Sequence, residues 1–323
     1  MHRPLVSIVM AAYRSDPVHL LAAVDSALAQ TCADIEVLVG DDSPTDSLRS
    51  VVASRQDVRL HYRHHLPALG VAANHWAAFR QARGEYIAVL NHDDWLAPEF
   101  VATLLGELQR EPRAVLAFCD HWVIDTQGQR LAEESDRNSR AWGRAVLQPG
   151  LHRPLGALLA AQTIPMAMGA VFRRAALPAL LPAEAGPAYD LWLTYLLART
   201  GGGACYVPQR LSAWRSHASN LTSAAGLPWL LGSATCWQAV ACDPAFAAQR
   251  PLALHKSARA YAACATRSWR DGHRRQCMRF AWHSLRARVS LRGLGLLLVL
   301  PWLPAGLARA WAAQRKQRQV GAA

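Results

Sequence analysis

Two pairs of adjacent carboxylates, Asp41-Asp42 and Asp93-Asp94, are the residues of this chain best suited to chemistry. Each pair follows a run of apolar residues, Ile35 to Gly40 in one case and Tyr86 to Leu90 in the other. Moving an ionised carboxylate out of water is costly, and a second one alongside adds repulsion, so each pair needs a cation or a set of hydrogen-bond donors. A divalent cation held by oxygen ligands meets the need at Asp93-Asp94. Mg2+ or Mn2+ suits carboxylate and phosphate oxygens, and such sites commonly use one or two protein carboxylates with substrate phosphates completing the shell. The competing reading is a strand followed by a capped helix, with Asp94 as the N-cap and Pro98 in the first turn.

The elements that must carry these acids alternate between strand and helix patterns, which argues for a mostly parallel sheet with helices on its faces. Strands are expected at Leu5 to Ala12, Ile35 to Gly40, Val58 to Tyr62, Tyr86 to Leu90 and Ala114 to Cys119. Helices are expected at Pro17 to Gln30, where Leu20, Leu21, Val24, Ala27 and Leu28 share a face, and at Val71 to Ala82 and Pro98 to Arg110. In open α/β sheets ligands collect beyond the carboxyl ends of the strands, and all four acids fall there. The chain carries neither Gly-x-x-x-x-Gly-Lys-Ser/Thr nor Gly-x-Gly-x-x-Gly after the first strand, and Gly201 to Gly203 reads as a helix stop. A nucleotide bound here is therefore gripped by metal and carboxylates and not by a glycine-rich phosphate loop.

At 323 residues, 52% of them hydrophobic, the chain has enough apolar mass for a substantial core. The formal charge of +12 is concentrated near the end: residues 250–323 hold 15 Lys and Arg against the single acid Asp271, a net of +14, which leaves −2 for residues 1–249. Within that basic region Leu294 to Ala308 contains no charged residue. This favours an anionic membrane surface over nucleic acid as partner, with no nucleic acid expected. Interrupted by Pro301 and Pro304, the run is too short for a spanning helix but suits an interfacial anchor. Trp302 and Trp311 would then lie at headgroup depth, with Arg309, Arg315, Lys316 and Arg318 facing the lipid charge. The alternative is a terminal hairpin packed against the rest of the protein. Seven cysteines without metal or disulfide spacing, and a first strand where a secretory signal would lie, favour a reducing, cytoplasmic location, peripheral on the inner face of the cell membrane.

Three motifs taken together resemble family 2 of the inverting glycosyltransferases, which have the GT-A fold. They are Val6-Ser7-Ile8-Val9-Met10-Ala11-Ala12-Tyr13, then Asp41-Asp42-Ser43-Pro44-Thr45-Asp46, then Gly84-Glu85-Tyr86-Ile87 leading to Asn91-His92-Asp93-Asp94. Order, spacing and strand placement agree over about residues 4–220. The resemblance implies a GT-A domain over 1–225, with a nucleotide-binding half at 1–120 and an acceptor half at 121–225. A helical basic region at 226–323 follows, containing a candidate membrane-associating segment at 291–311. It implies a nucleotide-sugar donor of UDP, dTDP or GDP type, Mn2+ or Mg2+ as cofactor, and transfer of one sugar with inversion to a glycan or lipid-linked glycan acceptor.

By the same resemblance Ala11 and Tyr13 contact base and ribose, Asp42 accepts the imino N–H of the base, and Asp41 supports it. A carboxylate offers only acceptors, so it favours uracil, thymine or guanine, whose ring N–H donates. Asp93 takes the role of metal ligand. Asn91 stands where the family has the first Asp of its Asp-x-Asp motif, so it keeps hydrogen bonds to ribose while weakening metal affinity with activity retained, and His92 has no assigned role. The segment Trp214-Arg215-Ser216-His217 resembles the family's Tyr-Arg-x-His, which makes His217 a further metal ligand and Arg215 a diphosphate contact. Pro187 and Ala188 replace the Glu-Asp that the family often places before Tyr-Asp-Leu-Trp-Leu, so Asp190 becomes the candidate base, with Glu184 in reserve. An alternative for Asp190 is a helix N-terminal residue favoured by the dipole. Gly169, in Met166 to Arg174, is expected to let an acceptor sugar approach closely. The leading expectation is a metal-dependent transferase of bacterial surface polysaccharide or lipopolysaccharide assembly. Two others stay open: a non-catalytic nucleotide-sugar-binding scaffold of the same fold, and a nucleotidyltransferase, which would need a basic glycine-rich loop after the first strand.

Overall fold

A computed structural model describes residues 3–217, 226–299 and 302–303. The chain divides into two compact units, Met1–Ala224 and Ala225–Ala323.

Among the described residues, the first unit is built on one sheet of nine strands: β1 (Val6–Ala12), β2 (Ile35–Asp41), β3 (Leu60–His64), β4 (Tyr86–Val89), β5 (Trp95–Leu96), β6 (Ala114–Ile124), β7 (Gly150–His152), β8 (Ala170–Arg173) and β9 (Gly203–Arg215). The order across the sheet is β3-β2-β1-β4-β8-β6-β9-β5, with β7 pairing onto the start of β9. The pairs β1–β2, β1–β4, β2–β3 and β6–β9 are parallel, whereas β8 runs antiparallel to both of its neighbours. The helices of this unit are α1 (Pro17–Leu28), α2 (Leu48–Ala53), α3 (Val71–Gln81), α4 (Phe100–Arg110), α5 (Ala132–Ala141), α6 (Gly156–Ala161) and α7 (Tyr189–Ala198).

This is the mixed, mostly parallel α/β architecture that the strand and helix alternation implies. Strands β1 and β2 are buried along almost their whole length, which is why they read as continuous apolar runs. The main core is formed by Ile8, Met10, Val37, Val39, Ala88 and Leu90 of the strand region with Leu20 and Val24 of α1 and Phe100, Leu104 and Leu108 of α4. Asp16 caps α1 by accepting hydrogen bonds from the amides of Val18 (2.8 Å) and His19 (3.3 Å), with Pro17 in the first turn. Chain progression reverses at β1, flanked by β2 on one side and β4 on the other, and the crevice at that reversal receives the C-terminal ends of both. Gly40 permits close packing beside it: a Cβ there would meet Asn74 Oδ1 at 2.1 Å, where the Asn74 amide donates to the Gly40 carbonyl at 2.9 Å.

Several boundaries differ from expectation for local reasons. Val58 is exposed, and Asp57 accepts hydrogen bonds from the Arg59 backbone and side chain, so β3 starts two residues later than the apolar pattern suggests. Trp95 and Leu96 form a short strand against β9, and the Ala97 amide donates to the Leu211 carbonyl, which delays α4 to Phe100. The N-cap position of α4 is Glu99, so Asp94 does not cap it. Strand β6 continues to Ile124, five residues past the expected end, because β9 pairs with it through a register irregularity near Asp120. Gly169 precedes β8 and serves packing within its own loop: a Cβ there would lie 2.7 Å from Pro165 Cγ. The expected close approach is therefore that of a proline ring, not of a sugar.

The second unit contains α8 (Leu227–Cys242), α9 (Arg250–Arg270), α10 (Arg274–Ala287) and α11 (Leu291–Leu298), each packed on the one before or after it. Its core gathers Ala234, Tyr261, Cys264, Ala265, Trp269, Cys277, Phe280 and Leu296. Part of the uncharged run thus packs inward through Leu296, while Leu291, Leu298, Val299 and Trp302 are exposed. Among the described residues no helix is long and apolar enough to cross a membrane. Pro304, Ala308, Arg309, Trp311, Arg315, Lys316 and Arg318 lie outside the described residues.

Candidate active site

The first acid pair sits at the end of β2 with one protein contact on each oxygen, which leaves acceptor capacity on the carboxylates. Asp41 Oδ1 accepts from the Ser43 amide (2.8 Å) and Oδ2 from the Tyr62 hydroxyl (2.6 Å). Burial and the neighbouring Asp41 charge raise the Tyr62 pKa, so the phenol stays a donor. Asp42 Oδ2 accepts from the Gly70 amide (2.7 Å), and Oδ1 lies 3.1 Å from His65 Nδ1. Both acids are almost fully buried. Ser43 ties the pair to the loop after β1, since its hydroxyl accepts from the Arg14 amide at 2.8 Å. Ala11, near the end of β1, is partly buried, and Tyr13 on that loop is exposed, one face of its ring covered by the Arg14 guanidinium 5.3 Å from the centroid. The partners Tyr62, His65 and Gly70 come from the strand after α2 and the entry to α3, which sequence spacing did not connect to Asp41 and Asp42.

The second pair divides its roles. Asp94 is buried and accepts from the Arg215 amide (2.8 Å) through Oδ1 and from the Asn91 side-chain amide (2.9 Å) through Oδ2. Burial first, and then the Asp93 charge, push its pKa well above the usual carboxylate range. Asn91 therefore spends a donor on Asp94, an interaction that a carboxylate at that position could not make without a shared proton. Asp93 reaches the surface, and its Oδ2 lies 2.8 Å from His217 Nε2, with side-chain exposures of 14% for the acid and 21% for the imidazole. Sequence separates these two residues by 124 positions, and the strands β4 and β9 bring them together. His92 is half-buried beside them; desolvation of its ring lowers its pKa, so it is neutral at pH 7.

Arg215 is the residue whose role changes. Its guanidinium donates from Nε to the Asp93 carbonyl (2.7 Å) and from Nη1 to the carbonyls of Asp125 (3.0 Å) and Thr126 (3.1 Å), and the residue is only 4% exposed. An arginine holding three backbone carbonyls under cover is a clamp on the Asp93 loop. That geometry does not support the diphosphate contact expected of it.

The candidate base Asp190 lies at the start of α7, where Oδ1 accepts from the Leu191 amide at 2.8 Å and burial raises its pKa. Glu184 is exposed on the preceding turn. Neighbouring Tyr189 stacks on His75 with ring centroids 4.1 Å apart, and its pKa is raised by burial and by the charges of Asp190, Asp94 and Asp93, so α7 stands close to the second acid pair. His75 donates from Nδ1 to the Val71 carbonyl (2.9 Å), and burial lowers its pKa to about 4.

Among the described residues no three His, Cys, Asp or Glu side chains converge as a metal cage. The donors present are one carboxylate and one imidazole at a common point, Asp93 and His217, while Asp94 turns both oxygens to protein donors. Such a two-donor set suits a Mn2+ or Mg2+ ion that takes its remaining ligands from substrate phosphate and water.

The profile of the family described as "Glycosyl transferase family 2" matches residues 7–177, which span β1 to β8 and include both acid pairs. The chain belongs to that family. Among curated proteins, this family 2 chain is 33% identical over 133 residues to a chondroitin synthase of Escherichia coli, covering 40% of this chain and 19% of the relative. It is 37% identical over 119 residues to the UDP-Glc:alpha-D-GlcNAc-diphosphoundecaprenol beta-1,3-glucosyltransferase WfaP of Escherichia coli, covering 37% and 47%. The chain thus spans less than half the length of the relatives it matches. In the fold as a whole it is similar to S. aureus TarS 1-349 in complex with UDP-GlcNAc, with a TM-score of 0.65 at 14% identity over 91% of this chain and 84% of that one. It also resembles the mannosyltransferase PcManGT of Pyrobaculum calidifontis in complex with GDP-Man and Mn2+, with a TM-score of 0.55 at 17% identity, covering 97% and 80%. These likenesses establish the GT-A fold.

Proposed function

We propose that the protein is a metal-dependent inverting glycosyltransferase that moves a sugar from a nucleotide-diphosphate sugar to a hydroxyl of a glycan or lipid-linked glycan, in bacterial surface polysaccharide or lipopolysaccharide assembly. The observation that carries this reading is the convergence of Asp93 and His217 at the end of β4 and β9, across the same crevice from the buried acceptor wall of Asp41 and Asp42.

Asp42 orients the base by accepting its imino N–H, which favours UDP, dTDP or GDP donors. Tyr13 offers its exposed ring along the nucleotide, and Ala11 contributes from the end of β1. Asp93 and His217 would hold Mn2+ or Mg2+, which when bound would supply charge neutralisation for the diphosphate leaving group. Arg215 fixes the Asp93 loop in advance, so little reorganisation accompanies donor binding. Asp190, with its pKa raised by burial, is the proposed base for the acceptor hydroxyl, a direction that improves proton abstraction near neutral pH. The fold neighbours in complex with UDP-GlcNAc and with GDP-Man and Mn2+ support donor class and metal, and WfaP, whose name gives a diphosphoundecaprenol-linked acceptor, supports a lipid-linked one.

Turnover of a panel of UDP-, dTDP- and GDP-sugars with Mn2+ tests the assignment. Release of nucleotide diphosphate from at least one donor is expected, and nucleotide binding without turnover in the presence of glycan acceptors would replace the transferase by a scaffold of the same fold.

Peripheral attachment to the inner face of the cell membrane is the second part of the proposal. Exposed Leu291, Leu298, Val299 and Trp302 on and after α11, within a basic unit, support it. Deleting residues 291–323 is expected to abolish co-flotation with anionic vesicles, and equal flotation of the two forms would remove this part alone.

A further inference from the structure

Four side chains on and beside the edge of the sheet form a ladder of alternating cations and rings, Arg210–Trp122–Arg130–Trp95. The Arg210 guanidinium lies 4.7 Å from the Trp122 ring centroid, and that of Arg130 lies 4.8 Å from Trp122 and 5.6 Å from Trp95. The two tryptophans come from strands β6 and β5, both registered on the same residue of β9, Ala213, and so project from one face of the sheet. Arg130 enters from the return arm of the turn after β6, where it bridges to Ile124.

The two arginines differ in what neutralises them. Arg210 is paired with Asp136 at 2.5 Å and Asp120 at 3.5 Å, and Asp120 is also bonded to Arg144 at 2.7 Å. That end of the ladder is an internal ion-pair network. Arg130 is exposed and, among the described residues, has no carboxylate within ion-pair distance; Glu133 and Glu134 of the nearby α5 make no pair with it. A guanidinium seated over two indoles is positioned by them, and no carboxylate among the described residues takes its N–H groups. This is a pre-organised fork for an oxyanion, and the ordering cost that a free surface arginine meets on binding is already met.

The ladder adjoins the proposed site. Trp95 follows Asp94 directly, and Arg215, two residues beyond Ala213 in β9, donates at once to the carbonyls of Asp93, Asp125 and Thr126. The turn that leads to Arg130 is thereby fastened to the loop that carries the metal ligand. His19 adds a second tie at 3.0 Å from the Thr126 carbonyl.

We infer that Arg130, seated on Trp95 and Trp122, binds an anionic substituent of the acceptor glycan, a sugar carboxylate or a phosphate, and so selects a negatively charged acceptor for the transferase proposed above. The inference rests on that reading, but its test does not depend on turnover.

Binding of four probes to the full chain is measured by calorimetry: a uronate-containing tetrasaccharide, a short-chain prenyl-diphosphate-linked sugar, a neutral tetrasaccharide of the same length, and UDP. One or both anionic probes are expected to bind more tightly than the neutral one, and the stronger of the two identifies the oxyanion as carboxylate or phosphate. Arg130→Gln is expected to weaken that probe by about tenfold with less than twofold effect on the neutral tetrasaccharide, and Arg130→Lys to recover only part, since an ammonium lacks the fork. The advantage of the anionic probe should shrink as salt is raised. UDP affinity reports on the donor side: its loss in the wild-type chain counts against the proposed function, not against the ladder. Affinity of wild type for both anionic probes no greater than for the neutral tetrasaccharide, or an Arg130→Gln variant that keeps the preference for the stronger anionic probe, overturns the inference.

Discussion

The two acid pairs solve the same electrostatic problem in opposite ways. Asp41 and Asp42 are both buried, and four contacts, from the Ser43 and Gly70 amides, the Tyr62 hydroxyl and the His65 ring, absorb their charge. Asp93 and Asp94 divide the burden. Asp94 goes under cover with donors from Arg215 and Asn91 and is pushed toward its neutral form, while Asp93 stays within reach of solvent opposite His217. A pair with a protein contact on every oxygen is a rigid wall, formed before any ligand arrives, and its remaining lone pairs can still accept. A pair that buries one member and presents the other suits a cation. At position 91, where Asn stands in place of the first Asp of the resembled motif, the side-chain amide is a donor to Asp94.

The contrast is broken most severely at Asp93. Asp93→Ala is expected to lower Mn2+-dependent turnover by roughly 10³-fold, the scale seen when one electrostatic contact to developing charge is removed. Its unfolding midpoint should remain near wild type, because the carboxylate is partly exposed and its ring partner can turn to water. Undiminished turnover in this variant would end the metal-ligand assignment. The next largest effect falls on the clamp. Arg215→Ala strands three backbone carbonyls and is expected to destabilise by about 3 kcal/mol, with Arg215→Lys recovering little, because one ammonium cannot span the same carbonyls. Urea unfolding of the two variants checks this; a wild-type midpoint would return Arg215 to the diphosphate role.

What sequence could and could not show follows from the range of each interaction. The parallel strands were legible because buried strands on both faces leave long apolar runs, and the acid pairs because carboxylates directly after such runs are rare. The family pattern tied these to the GT-A fold. Strand β5 was not legible: two residues, Trp95 and Leu96, carry no periodicity, and only the partner strand from residues 212–213 makes them a strand. Nor was the function of Arg215 legible, since its acceptors are backbone carbonyls at positions 93, 125 and 126, which no side-chain spacing encodes. The same holds for Tyr62 and His65, ordinary residues in sequence that become the supports of Asp41 and Asp42. Gly169 misled for a related reason, because its missing Cβ makes room for Pro165, four residues away.

A smaller effect sharpens the wall side of the comparison. Asp42→Asn puts an N–H where an oxygen accepted, so it opposes a ring N–H while leaving the Asp93–His217 pair intact. The expected outcome is about a tenfold higher KM for the preferred uracil, thymine or guanine donor with kcat little changed. Competition between UDP and CDP should show the wild-type preference for UDP reduced, since the N3 position of cytosine accepts where that of uracil donates. An unchanged UDP/CDP ratio would detach Asp42 from base recognition.

The smallest effect concerns an acid in the same parallel strands that has no proposed ligand, Glu36 at the start of β2. Burial alone would raise its pKa, but the Ser7 hydroxyl (2.6 Å), the Arg83 amide (2.7 Å) and the Arg83 guanidinium (2.8 Å) outweigh burial and hold it below the ordinary value of 4.5. A depressed folded-state pKa stabilises the fold above the unfolded value and loses that contribution as pH falls through the folded one. Glu36→Gln is accordingly expected to cost about 1 kcal/mol at pH 7, with the difference from wild type closing below pH 4.5. Turnover at pH 7 should be unaltered. If this protein-bonded carboxylate behaves as a structural element with a stability signature and no activity signature, while Asp93 shows the reverse, then the distinction between protein-bonded and presented acids holds across the sheet, and it does not merely reflect the ends of two strands. Equal pH dependence in wild type and Glu36→Gln would remove Glu36 as that reference.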